Sequence, residues 1–189
     1  MRYAVGTMRA DAARNIDAVL QTGARLLAED PSTSIAAIAA EAGVDRRTVY
    51  RRFACRETLR DAVFHTKLDA IEKVIRDSRL DSAPVAVALH RFVEGIIAVV
   101  RRYPIDPELM GDDANSYQRM LEQRKQLATF IQRAVDEGLI KSDLPEGMAP
   151  ALLQKIIALF ARQYCHLSPA QAADIVVDTY LNGIGSGSN

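Results

Sequence analysis

Residues 46–60 carry Arg46, Arg47, Arg51, Arg52, Arg56 and Arg60 around Thr48 and Tyr50, with Glu57 the single acid. Guanidinium groups make paired hydrogen bonds to phosphate oxygens or to the edge of guanine, so this cluster points to nucleic-acid recognition. The whole chain is neutral, with 24 basic and 24 acidic residues. Its distribution is not: residues 1–60 hold ten arginines against seven acids, and the other 129 residues hold 14 bases against 17 acids. A basic cluster on a neutral protein supplies the local attraction that phosphate binding needs.

No other set of residues matches it. The carboxylates Asp112 and Asp113 are adjacent in an irregular stretch, without a base or nucleophile at a useful spacing, so no enzyme is expected. Cys55, Cys165, His65, His90 and His166 are scattered. Cys165 and His166 point about 100° apart if helical and lack further ligands, so neither a metal nor a cofactor is expected. Two isolated cysteines suit a reducing compartment. The apolar stretches 92–100 and 149–161 are too short for a membrane span of about 20 residues. No secretory leader is read at the start, and a cytoplasmic location with no membrane partner is expected.

Helical periodicity dominates, so the expected fold class is all-α. One helix is expected over 10–29, with Ile16, Val19, Leu20, Ala24 and Leu27 on its inner stripe and Asp30-Pro31 ending it. Short helices follow at 35–42, capped by Ser34, and from about 46 to 53. A fourth spans 56–77. Later helices are expected at 84–102, 115–137, 148–166 and after Ser168-Pro169, with Gly138 suited to a left-handed cap. The second and third helices can cross steeply because Ala39 is small and Gly43 tolerates positive φ. Ile38, Val44 and Val49 then share an interior. Arg46, Arg47, Thr48, Tyr50 and Arg51 are left outward, where a helix-turn-helix meets base edges in the major groove.

The run Ser34-Ile35, Ile38-Ala39, Ala42-Gly43-Val44, Thr48-Val49-Tyr50, Phe53, Arg56 and Leu59 resembles the tetracycline-repressor family over about residues 10–63. The resemblance implies a fold of about nine helices: a three-helix helix-turn-helix module and a larger helical domain for ligand binding and dimerisation. Residues 1–55 would form the DNA-binding domain, 56–77 a connecting helix, and 78–189 the second domain. It further implies a homodimer on palindromic double-stranded operator DNA, acting as a repressor and released by an unidentified small molecule. A helix-turn-helix regulator controlled by a protein partner or by abundance stands as the alternative. By the same resemblance Ser34 and Tyr50 are phosphate contacts, Arg46, Arg47 and Thr48 base or mixed contacts, and Arg56 replaces a phosphate-binding lysine. Arg51 and Arg52 would add phosphate affinity. Cys55 departs from the usual Ser or Asn cap, Ala54 from a frequent Pro, and Arg52 from an aromatic or His.

For the second half the expectations rest on residue type alone. Phe92, Ile96, Tyr103, Met110, Tyr117, Met120, Leu121, Phe160 and Tyr164 are the candidate walls of a ligand cavity. His90 is a candidate for orienting a polar ligand group, and Arg91, Arg101 and Arg102 read as a solvated face, with attraction of an acidic effector as the alternative. The last two helices are apolar on more than one stripe, so Leu152, Ile156, Leu159, Phe160, Ile175, Val176 and Tyr180 are expected in a four-helix dimer interface.

Overall fold

The computed structural model describes residues 3–106 and 113–184, with side chains over 13–106 and 113–183. The described residues form eight helices. They are α1 (Tyr3–Glu29), α2 (Ile35–Glu41), α3 (Arg46–Arg52), α4 (Arg56–Ser78), α5 (Val85–Arg102), α6 (Ala114–Asp136), α7 (Met148–Gln163) and α8 (Pro169–Ile184). The chain divides into two compact units, one of residues 1–67 with 102–113, the other of residues 68–101 with 114–189.

In the first unit the stripe Val19, Leu20, Ala24 and Leu27 on α1 is buried together with Ile35, Ile38, Ala39, Val49, Phe53, Leu59 and Val63. α1 stops where Asp30 folds its carboxylate back: the Ser32 backbone N–H and hydroxyl donate to Asp30 Oδ1 at 2.8 and 2.7 Å, a turn that offers the backbone an alternative to the helix. The stretch after α5 belongs to this unit through polar ties. Arg102 pairs with Asp17 at 2.7 Å, the buried Lys67 ammonium donates to the Ile105 carbonyl at 2.7 Å, and His65 Nε2 lies 2.8 Å from Asp113.

The second unit packs Leu89, Val93 and Ile97 of α5, Leu127, Phe130 and Ile131 of α6, Leu153 and Ile157 of α7, and Val176 and Tyr180 of α8 into one core. α4 and α5 approach closely at Gly95, where an added Cβ would lie 2.6 Å from Val74 Cγ1. α6 ends with Gly138 at φ 74°, its left-handed backbone letting the Leu139 N–H return to the Ala134 carbonyl at 2.9 Å. α7 ends at Gln163 rather than at 166. Arg101 explains this: its guanidinium donates to the carbonyls of Phe160, Tyr164 and Leu167 at 3.2, 3.0 and 2.7 Å, taking acceptors that a longer helix would use. The expectation of a solvated Arg101 is corrected accordingly. α8 starts on a reciprocal cap, with the Gln171 N–H donating to Ser168 Oγ at 3.2 Å and the Ser168 N–H donating to Gln171 Oε1 at 2.9 Å.

Candidate nucleic-acid interface

Three local devices aim α3. Ser34 caps α2, its Oγ accepting from the Ala37 N–H at 3.1 Å. Gly43 takes φ 64° in the turn, and the Val44 N–H reaches the Ala39 carbonyl at 3.0 Å. Asp45 then caps α3 by accepting from the Thr48 N–H at 3.1 Å. The Asp45 cap is absent from the expectations drawn from the sequence, although Asp directly before a helix start is a favoured N-cap. An Arg25–Glu41 ion pair at 2.6 Å also ties α1 to α2.

Val49 is the one buried residue of α3, and its burial sets the helix's rotation. At 100° per residue Arg47 and Arg51 lie roughly opposite Val49, while Arg52 stands about 60° from it, on the flank. Arg46, Arg47, Tyr50, Arg51 and Arg52 are exposed and Thr48 is half-buried. The Arg46 guanidinium lies 5.2 Å from the centre of the Tyr50 ring, an i,i+4 cation–π contact that orients both. Among the described residues no carboxylate comes within 4.0 Å of Arg46, Arg47, Arg51 or Arg52. Four guanidinium groups on one short helix thus retain their donors.

Arg56 differs. Its guanidinium donates to the Ser32 carbonyl at 3.2 Å and to Glu57 Oε1 at 3.3 Å, so it enters any phosphate contact from an existing network. Hydrogen bonding holds the Glu57 carboxyl below its ordinary range. At the head of α4 the thiol of Cys55 leaves no oxygen cap; instead the Thr58 hydroxyl accepts from the Cys55 N–H at 3.3 Å and donates to the Cys55 carbonyl at 2.7 Å.

The candidate cavity walls are spread apart. Phe92 is buried in the core, Ile96, Met120 and Phe160 are half-buried, and Tyr117, Leu121 and Tyr164 are exposed. Tyr103 is buried in the first unit, where its hydroxyl donates to Asp17 at 3.4 Å and burial raises its phenol. Met110 lies outside the described residues. Phe160 stacks on Tyr164 with ring centres 4.8 Å apart. His90 Nε2 lies 2.9 Å from Asp174, which ties α5 to α8. None of the described ones lines the 850 Å³ groove of the second unit, which runs between the end of α4, with the turn after it, and α6. Large apolar type marked packing positions here, whereas the groove has a largely polar rim.

Two expected interface residues also need correction. Val176 and Tyr180 are fully buried within the protomer, and the Tyr180 hydroxyl donates to the Ala149 carbonyl at 2.9 Å. Burial pushes that phenol far above its ordinary range. The stripe facing the core of α8 is Ala172, Ala173, Val176 and Tyr180, so these residues are spent inside the protomer, Tyr180 on α7. Leu159 and Ile175 remain 40% and 43% exposed, and Leu152, Ile156 and Phe160 are half-buried.

Among the described residues no group of acids, histidines and cysteines is placed to hold a metal, and no helix is long and apolar enough to cross a membrane.

Residues 19–63 match the family model of bacterial regulatory proteins, tetR family. No curated protein matches the chain. Among solved structures, the ketosteroid transcriptional regulator KstR2 of Mycobacterium tuberculosis is similar at 19% identity over 89% of this chain and 94% of that one, with a TM-score of 0.72. The TetR-like regulator LfrR from Mycobacterium smegmatis in complex with proflavine is similar at 22% identity over 90% and 97%, with a TM-score of 0.68. AibR in complex with isovaleryl coenzyme A and operator DNA is similar at 20% identity over 87% and 97%, with a TM-score of 0.66. These likenesses establish a common fold. The tetR family model is thus matched across the reading helices, and the chain as a whole shares the fold of these solved regulators.

Proposed function

We propose that the protein is a repressor that binds a palindromic operator as a homodimer and leaves it when a small molecule occupies the second unit. The observation that carries the DNA contact is exposed α3, four guanidinium groups without carboxylate partners among the described residues around an oriented Tyr50. Arg46, Arg47 and Thr48 read base edges, while Ser34, Tyr50, Arg51, Arg52 and Arg56 hold phosphates. Ser34 can do both of its tasks: its oxygen accepts from Ala37 N–H and its proton stays free to donate. Residues 1–55 serve as the DNA-binding domain, α4 as the connection, and 78–189 as the sensing and dimerising domain.

The dimer uses the apolar residues that α7 and α8 leave uncovered, Leu152, Ile156, Leu159, Phe160 and Ile175, about a twofold axis. Support for a ligand comes from relatives of the same fold whose structures hold proflavine or isovaleryl coenzyme A. A ligand shifts operator affinity only by its preference for one arrangement of the reading heads over the other.

Operator binding titrated against salt tests the DNA contacts. Arg56→Ala should weaken all sequences alike and lower the salt slope by about one. Arg47→Ala should relax preference at one base pair of each half-site, at a cost of ~1–3 kcal/mol. An enhanced loss on all sequences with preference intact would move Arg47 to the phosphate set.

A further inference from the structure

We propose that the groove beside the end of α4 is a binding site for an organic anion with an apolar body. The inference concerns binding alone and does not depend on the regulatory reading above.

Three observations meet there. The groove holds 850 Å³ and includes the apolar side chains Ile75, Leu80 and Phe130, a size and floor suited to one small organic molecule. Its rim carries Arg76, Arg79 and Lys125, none with a carboxylate within 4.0 Å among the described residues, whereas Arg133 is already engaged by Glu137 and the Ala83 carbonyl. The acids of the rim are turned onto neutral donors: Asp81 accepts from the Ser82 hydroxyl, Glu122 from Gln126 and Asp136 from Gln132. Three cations are thus left to face a guest, and their donors are not consumed by the acids nearby.

The third observation is the backbone of Arg79, whose φ is 51°. The other left-handed residues among those described are Gly43, Gly138 and Gly147. A side chain at such a position is strained, and glycine ordinarily follows a helix end of this kind. Attraction to the helix dipole does not account for the arginine, because α4 already carries Arg76 in its last turn without strain. A strained residue kept at the rim of a groove is the pattern expected where a side chain serves a ligand at the expense of the fold. The geometry therefore assigns Arg79 the anionic group, with Arg76 and Lys125 beside it and the apolar body along the groove floor.

The test uses the full chain and two dyes that share an aromatic body. 1-Anilinonaphthalene-8-sulfonate carries a sulfonate and N-phenyl-1-naphthylamine does not. Fluorescence titration should show saturable binding of the sulfonate dye, with the uncharged dye at least about tenfold weaker, the order of loss for one charge-assisted hydrogen bond. Arg79→Gly should raise the thermal midpoint by about 2–4 °C through relief of the backbone while weakening the sulfonate dye about tenfold. The double variant Arg76→Gln/Lys125→Gln should weaken it as well without that rise. Dodecanoate should displace the dye and dodecanol should not. Equal affinity for the two dyes, or unchanged sulfonate binding in both the Arg79→Gly and the double variant, would overturn the proposal. Because the dye is titrated without DNA, a failure of bound anion to release operator counts against the effector reading and leaves this site standing.

Discussion

The first unit exposes its candidate functional residues and hides a few apolar anchors, whereas the second unit must divide apolar residues between its own core and any outside partner. On α3 one buried residue, Val49, turns the arginines outward, and no ambiguity arises because arginine is not buried without a partner. On α8, Ile175 and Val176 are neighbours of the same chemical kind, yet one is 43% exposed and the other fully buried. Polar function can be read from residue type, while apolar function depends on which face the packing happens to use.

That contrast can be broken most sharply on α8. Val176→Asp places an uncompensated charge in the core and should destabilise the protomer by ~3–5 kcal/mol, seen as early loss of helical circular dichroism on heating. Ile175→Glu and Leu159→Glu, on exposed positions, should stay within about 0.5 kcal/mol of the parent in protomer stability yet yield monomers by light scattering. A folded monomeric Val176→Asp protein would erase the distinction between the two faces.

A smaller effect probes how tightly the second unit is packed. Gly95→Ala should cost about 1–3 kcal/mol, since its Cβ meets Val74 at 2.6 Å, and Val74→Ala in the same chain should recover part of that loss. Thermal denaturation of the two single variants and the double variant measures the coupling. Additive losses would mean that α4 and α5 separate easily at this point.

In the first unit the caps are worth less but separate folding from recognition. Asp45→Ala and Ser34→Ala should each lower stability by about 1 kcal/mol. Ser34→Ala should in addition weaken operator binding at temperatures where both proteins are fully folded. If the two variants lose operator affinity equally, the Ser34 hydroxyl does no more than cap.

The smallest expected effect is electrostatic. The Arg119 guanidinium, hydrogen-bonded to Glu72 at 2.8 Å, holds that carboxyl below its ordinary value near 4.5 in spite of partial burial. A depressed folded value adds stability that is present above about pH 4.5 and is lost as the pH falls through it. Glu72→Gln should therefore cost about 0.5 kcal/mol at pH 7, discounted for solvent screening, and less at pH 3. Chemical denaturation at the two pH values reads the difference, and an equal cost at both would assign Glu72 a packing role.

By itself the sequence determined the all-α class, the order of the helices, and the reading helix with its turn. Each of those rests on local physics: the 3.6-residue period, Ser34 and Ser168 as caps, Gly43 and Gly138 at positive φ, and arginines that must stay in water or meet charge. Tertiary structure alone decided what the second unit does with its side chains. Arg101 reads as a surface cation until α7 ends within its reach, and Tyr180 reads as interface until Ala149 supplies an acceptor inside the protomer. The groove of the second unit was hidden for the same reason, because its wall joins residues 75–81 to residues 122–136, some fifty positions apart. Local periodicity says that a helix has an apolar face, but which neighbour covers that face is a property of the assembled chain.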